Sequence, residues 1–132
     1  MLALVTGASS GIGLEYAKQL ARDYHTDLLL VSNQEEELQK VAADLAAEYG
    51  VKTIALYADL SKSDAAERLL QYCKDNNHVV DILINNAGVF FFNPYCETSM
   101  KRIELMLNLH MITVAKLTRL FGEEMINRQL TA

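Results

Sequence analysis

The sequence has 132 residues, a net charge of −5 at pH 7 and a pI near 5.1, so it is an acidic chain of single-domain size. Hydrophobic residues make up 51% of it and charged residues 22%, a composition typical of a globular domain and not of a disordered one. Because phosphate-backbone binding depends on clustered lysine and arginine, and no basic run is present, we expect no nucleic-acid partner.

The sequence also gives no support for a membrane protein or a metalloprotein. No apolar run approaches the roughly 20 residues that a membrane span needs, and the first apolar run follows Met1 directly. Cys73 and Cys96 lie in neither a C-x-x-C pair nor a cysteine–histidine ligand spacing. We therefore expect a cytoplasmic protein with reduced thiols, no membrane contact and no metal site.

Apolar periodicity predicts strands alternating with helices. Short apolar runs predict buried strands, and apolar stripes at helical spacing predict the helices. In chain order the predicted elements are a strand at 2–5, a helix at 12–24, a strand at 27–32, a helix at 34–49 stopped by Gly50, a strand at 52–57, a helix opened by a capping box at 61–64, a strand at 79–84, and a long helix from about 99 to 128.

This alternation predicts one α/β domain over residues 1–132, with a doubly wound, Rossmann-type parallel sheet of strand order 3-2-1-4. In that order the first and fourth strands are neighbours where the winding reverses, and ligands bind outside the carboxyl ends of strands there. We therefore expect the turn after the first strand and the turn at Asn85–Gly88 to open into one crevice.

The stretch Val5–Gly13 connects the first strand to the first helix. Its glycines permit a tight turn and close approach of a ligand, and the helix start offers unpaired N–H groups, which suit a diphosphate. Spacing excludes a P-loop and also the G-x-G-x-x-G fingerprint, whose third glycine position holds Tyr16. A ligand-free connection remains an alternative for this stretch, as a plain turn does for Asn85–Gly88.

The pattern T-G-x-x-x-G-I-G at Thr6–Gly13, with Asp59 after the third strand and Asn-Asn-Ala-Gly at Asn85–Gly88, resembles the N-terminal half of the classical short-chain dehydrogenase/reductase family. The resemblance implies a nicotinamide dinucleotide partner and hydride transfer between it and an alcohol or carbonyl. It also implies cofactor contacts in the two turns and at the ends of the second and third strands: Gly7, Ser9, Ser10, Gly11, Ile12, Gly13, Ser32, Asn33, Asp59, Leu60, Asn86, Ala87 and Gly88.

Two residues carry a second interpretation. Asp59 bonds the adenine amine in the family pattern, but it also suits a helix-start acceptor. Asn108 interrupts an apolar stretch, and the resemblance implies that it holds a water of the proton relay. The alternative for Asn108 is an ordinary amide with a satisfied hydrogen bond.

The choice between NAD and NADP depends on the end of the second strand. An acidic residue there marks NAD, because it bonds the ribose hydroxyls and repels a 2′-phosphate, whereas nearby basic residues mark NADP. The relevant positions here hold Ser32, Asn33 and Ser10, which neither repel a phosphate nor neutralise it. The balance slightly favours NADP, because small polar donors can bond phosphate.

The proton-donating part of the family pattern is missing. None of the six tyrosines has a lysine four residues later, and the resemblance ends in the long helix, before strands 5 to 7 and the family's serine. A positioned acid or base contributes about 10²–10⁴ in rate, so we expect this chain alone to be inactive. An unpaired apolar strand at 79–84 and an uncovered helix at 99–128 predict a homo-oligomer.

Two other functions remain open. One is a non-catalytic interaction protein that retains the fold, which the open edge and the apolar helix favour. The other is a serine hydrolase, because Gly7–Gly11 spells G-x-S-x-G, with Asp59 or Asp81 and then His110 following. Against it, that motif normally follows several earlier strands.

Overall fold

The computed structural model describes residues 1–131, with side chains through residue 129. One parallel four-stranded sheet forms its centre, in the order β3-β2-β1-β4, which confirms the predicted α/β fold and strand order. The strands are β1 (Leu2–Thr6), β2 (Asp27–Ser32), β3 (Thr53–Tyr57) and β4 (Ile82–Ile84).

The helices follow the strands as the apolar stripes predict, and Gly50 ends the second of them in a left-handed conformation with φ of +68°. The helices are α1 (Gly11–Tyr24), α2 (Glu35–Tyr49), α3 (Ala65–Asp75), α4 (Met100–Leu107) and α5 (Thr113–Thr131), with a π-helical turn (Asn108–Ile112) between the last two. In the described part of the chain, no helix is long and apolar enough to cross a membrane.

Helices cover both faces of the sheet, because successive strand side chains point to opposite sides. On one face α1 and α2 pack against alternate residues of β1 and β2. On the other face α3 and α5 pack against the intervening residues. The first core contains Ala3, Val5, Leu28, Leu30, Ala17, Ala21, Leu38 and Leu45; the second contains Leu4, Leu29, Val31, Leu69, Cys73, Leu117 and Phe121.

Three local predictions need correction. The capping box at 61–64 is wrong: α3 begins at Ala65, and its N-cap Asp64 makes no capping hydrogen bond through its side chain. The fourth strand is three residues long, since only Ile82–Ile84 pairs with β1. The long helix is not uniform, because a π-helical turn separates α4 from α5.

Candidate functional site

The carboxyl ends of all four strands face one cavity of about 490 Å³. This volume lies in the range of roughly 300–1,000 Å³ that is typical of small-molecule and cofactor sites. Its position outside the junction of β1 and β4 is the one predicted from the strand order. Its lining residues are Gly7, Ser9, Ser10, Ser32, Asn33, Gln34, Ala58, Asp59, Leu60, Ser61, Asn86, Ala87, Gly88, Val89, Leu105 and Leu109.

Most of the predicted cofactor residues therefore line this cavity together. Of the thirteen residues implied by the resemblance, all but Gly11, Ile12 and Gly13 are among its lining residues. Ile12 is 71% exposed on α1, and Gly13 is buried beneath the turn. Ligand contact at these three positions stays a prediction.

A buried threonine joins the two turns. The Oγ1 of Thr6, a residue only 2% exposed, accepts hydrogen bonds from the backbone N–H groups of Asn86 and Ala87, both at 3.0 Å. The side-chain amide of Asn86 donates back to the Gly7 carbonyl at 3.2 Å. These bonds connect positions about eighty residues apart and hold the two turns next to each other.

Glycine at two positions makes this approach possible. Gly7 has φ of +66°, and a Cβ there would lie 2.9 Å from the Cα of Ala87. A Cβ on Gly13 would lie 2.1 Å from the Gly7 carbonyl oxygen and 2.4 Å from Nδ2 of Asn86. Gly13 is therefore required for the close packing of α1 beneath the turn, a role distinct from lining the cavity.

The start of α1 leaves its amides available to a ligand. The N-cap Ser10 makes no capping hydrogen bond through its side chain, and the first amides of a helix have no partner inside the helix. The helix dipole adds partial positive charge at the same place. An anion such as a diphosphate would be held there without any cationic side chain.

A chain of hydroxyl groups lies where β2 ends. The Ser32 hydroxyl donates to Oγ of Ser9 at 2.9 Å and accepts from the backbone N–H of Gln34 at 3.0 Å. Asn33 is exposed beside them. Among the described residues that line the cavity, Asp59 carries the only charge, so this corner is polar and neutral.

Asp59 does not act as a helix-start acceptor, because α3 begins at Ala65, and its contact with an adenine stays a prediction. It lines the cavity, while its Oδ1 accepts from the backbone N–H and the hydroxyl of Ser61 at 3.0 and 2.5 Å. The hydrogen bond from the Ser61 hydroxyl is the main reason why the pKa of Asp59 lies below its ordinary value, and the charge of Lys62 contributes weakly. The carboxylate thus stabilises the turn after β3 and still faces the cavity.

The opposite wall comes from α4 and the π-helical turn. Leu105 and Leu109 line the cavity, and the Thr113 hydroxyl donates to the Leu60 carbonyl at 2.7 Å, which joins this wall to the turn after β3. Asn108 is half-buried as the first residue of the π-helical turn and is not among the lining residues. Its role in holding a water stays a prediction.

His110 is a site residue that the resemblance does not supply. Its Nε2 lies 3.1 Å from the backbone nitrogen of Val89 and 2.8 Å from the Val89 carbonyl oxygen. Val89 lines the cavity directly after the Asn85–Gly88 turn. A histidine in a mostly apolar helical stretch is the sequence signal that marks this contact, and it does not identify Val89 as the partner.

The hydrolase constellation does not assemble. The Oγ of Ser9 accepts a hydrogen bond from Ser32, and Nε2 of His110 is engaged by Val89. Asp81 accepts from the backbone N–H of Leu2 at the amino end of the sheet, opposite the cavity. Within residues 1–131 no group of three or more histidine, cysteine, aspartate or glutamate side chains could hold a metal ion.

Comparison with known proteins agrees with the geometry. The chain is 33% identical over 131 residues to very-long-chain 3-oxoacyl-CoA reductase of Anas platyrhynchos, covering 96% of this chain and 41% of that protein. It is 33% identical over 130 residues to inactive hydroxysteroid dehydrogenase-like protein 1 of Homo sapiens, covering 96% and 38%. The solved short-chain dehydrogenase from Sphingobium yanoikuyae, in complex with NADPH, superposes with a TM-score of 0.87 at 31% identity, covering 96% of this chain and 49% of that one.

These matches also fix the extent of the similarity. The chain spans about two fifths of the length of the curated relatives it matches and about half of the solved structures. The part that is shared is the N-terminal half, with its four strands. The family model for short chain dehydrogenase matches residues 1–131, and the chain therefore belongs to the short chain dehydrogenase family.

Proposed function

We propose that the chain binds a nicotinamide dinucleotide in the cavity at the carboxyl ends of its strands, as the cofactor-binding part of an alcohol or carbonyl oxidoreductase. The observation that carries the proposal is the joining of the Gly7 turn to the Asn86 turn through Thr6. That junction sets the uncapped start of α1 beside a cavity of cofactor size. The solved relative in complex with NADPH supports the same ligand class.

Different residues of the cavity suit different parts of a dinucleotide. Ser9 and Ser10, directly before the uncapped start of α1, suit the diphosphate. Asp59 and Leu60 suit the adenine, and the Asn86–Gly88 main chain suits the ribose. The cofactor, when bound, would supply the hydride. This chain's own residues bind and orient it.

NADP(H) is the cofactor that the neutral end of β2 favours slightly. The hydroxyls of Ser9 and Ser32, with Asn33 beside them, offer small polar groups and no carboxylate that would repel a 2′-phosphate. Asn33→Asp adds such a carboxylate with almost no change in shape. We expect it to weaken NADPH binding by about tenfold while NADH affinity stays within about twofold.

Isothermal titration calorimetry of the purified chain with NADPH and NADH tests the proposal. Asn76→Asp is the matched control, because it adds the same charge at the exposed C-cap of α3, and Asn76 is not among the residues that line the cavity. No heat from either cofactor up to millimolar concentration would refute dinucleotide binding. An equal response of NADPH and NADH to Asn33→Asp would refute the preference.

Catalysis by this chain alone is not part of the proposal. Its sequence has no Tyr-x-x-x-Lys motif, so no tyrosine paired in this way with a lysine is available to move the substrate's proton. We expect no NADPH oxidation with ketone substrates at any pH. Sustained turnover by the purified chain would contradict this expectation.

A homo-oligomer in the cytoplasm is the expected form of the protein. Among the described strands β4 pairs only with β1, so one of its edges is open, and Leu107, Met111 and Ile112 expose apolar side chains along the π-helical region. Met111→Glu should shift the protein toward monomers in light scattering at micromolar concentration. A wild-type protein that is strictly monomeric would count against association through these surfaces.

A non-catalytic interaction protein is the second candidate, and one observation favours it specifically. A relative with 33% identity is named as an inactive hydroxysteroid dehydrogenase-like protein, so loss of activity has a precedent within the similarity range of this chain. The two candidates differ in the cofactor. An interaction protein that retains only the fold would form its complexes without a dinucleotide and would show no heat in the titration.

A further inference from the structure

The side chain of His110 contacts main-chain atoms of Val89, which together with Gly88 forms one wall of the cavity. Its Nε2 is 2.8 Å from the Val89 carbonyl oxygen and 3.1 Å from the Val89 nitrogen. Its ring also fills the space next to Gly88, where a Cβ would lie 2.7 Å from the ring's Cε1. One side chain thus touches two consecutive residues of the wall.

The segment that His110 contacts has few other anchors toward its end. Thr6 holds the start of the turn at Asn86 and Ala87, but Phe90 and Phe92, directly beyond Val89, are mostly exposed. His110 therefore bonds Val89, whose side chain packs against the core, directly before the exposed segment. The π-helical turn carries His110 on the same few residues that place Leu109 in the cavity.

We propose that His110 is a positioning residue of the cofactor site, fixing the Gly88–Val89 main chain at the place where the ribose and nicotinamide would pass. The inference rests on the proposed dinucleotide binding and deepens it. A neutral imidazole Nε2 either donates to the Val89 carbonyl or accepts from the Val89 N–H, depending on its tautomer. We assign the second of these bonds, in which the Val89 N–H donates to Nε2 at 3.1 Å, and the exchange rate of that amide reports it.

Two substitutions separate the hydrogen bond from the packing of the ring. His110→Phe keeps a ring against Gly88 but removes the nitrogen, whereas His110→Gln keeps a side-chain N–H and a carbonyl oxygen. We expect His110→Phe to weaken NADPH binding about 3- to 10-fold, the effect of one hydrogen bond, and His110→Gln to recover most of the loss. His78→Phe is the matched control, since His78 packs on Tyr72 away from the cavity and its replacement should leave NADPH affinity unchanged.

Hydrogen exchange of the Val89 amide, followed by NMR in the unliganded chain, provides a readout that does not depend on cofactor binding. His110→Phe should speed exchange at Val89, and His110→Gln should restore its protection. Absence of NADPH binding to the wild-type chain would refute the proposed function, and the exchange rates would then decide alone whether His110 fixes the wall. Wild-type exchange at Val89 in His110→Phe, or NADPH affinity equal to that of the wild type, would overturn the inference.

Discussion

Gly13→Ala is the sharpest test of how the site is built. The added methyl group would lie 2.1 Å from the Gly7 carbonyl oxygen and 2.8 Å from the Gly7 carbonyl carbon. Both atoms belong to the main chain, so no flexible side chain can move aside. To accept the methyl group, α1 must move away from the turn or the turn must move away from Asn86.

The expected cost follows from two opposing terms. Overpacking a tight contact costs about 1–3 kcal/mol, and the rigid surroundings of Gly13 favour the upper end. Alanine in a helix recovers about 1 kcal/mol relative to glycine. The net destabilisation is about 2 kcal/mol, and at about 2.1 cal/mol/K of unfolding entropy per residue this corresponds to about 7 °C in Tm.

Thermal unfolding followed by circular dichroism measures the effect, and two other glycines provide controls. Gly122 lies within α5 with nothing within 4 Å of a built Cβ, so Gly122→Ala should stabilise the chain by about 0.5–1 kcal/mol. Gly11 also has open space but a φ of +57°, so Gly11→Ala should cost about 1 kcal/mol through backbone strain alone. If Gly13→Ala melts within about 2 °C of the wild type, the steric argument is wrong.

Three further predictions concern single buried or charged groups. Thr6→Val leaves two part-buried N–H groups without their acceptor and should lower the free energy of unfolding by about 2–4 kcal/mol in urea titrations. Thr118→Val removes a hydroxyl whose bonds to Asn85 and Val114 are exposed, and it should change the free energy of unfolding by less than about 0.5 kcal/mol. The folded-state pKa of Asp59 is lowered, mainly by the hydrogen bond from the Ser61 hydroxyl, so the stabilisation from this carboxylate is present above pH 3.8 and is lost as the pH falls through the folded-state pKa. The difference in unfolding free energy between the wild type and Asp59→Asn should therefore close below pH 3.8. A difference that does not depend on pH would contradict this. Burial raises the pKa of Cys73 to about 11, so at pH 8 a thiol reagent should label the exposed Cys96 quickly and Cys73 only upon unfolding. Rapid labelling of both cysteines would contradict the burial of Cys73.

The sheet could be predicted from the sequence because its signals are local and repeated. Apolar runs of strand length alternate with helical stripes, and the strand order follows from the way parallel βαβ units wind. The Gly50 stop was predictable as well, since the left-handed end of a helix favours glycine. The prediction failed at Ser61–Asp64, because Ser61 bonds Asp59 behind it and not the helix in front of it.

The site was predictable only as far as its motifs reach. The resemblance locates the Gly7 turn and the Asn86 turn, and the strand order brings them together. It does not show that Gly13 packs against Gly7, because that contact depends on the distance between α1 and the turn. Nor does it show the contact between His110 and Val89, which depends on one extra residue in a helical turn and leaves no periodic pattern in the sequence.

The bonds between Thr6 and the Asn86 turn bear on the order in which the molecule assembles. Their partners are about eighty positions apart along the chain, so closing that loop costs more chain entropy than forming any neighbouring βα contact. We therefore expect the cavity to form late in folding, after β4 has docked beside β1. A nucleotide that binds there would bind only the folded chain, and it would shift the folding equilibrium toward the folded state by mass action.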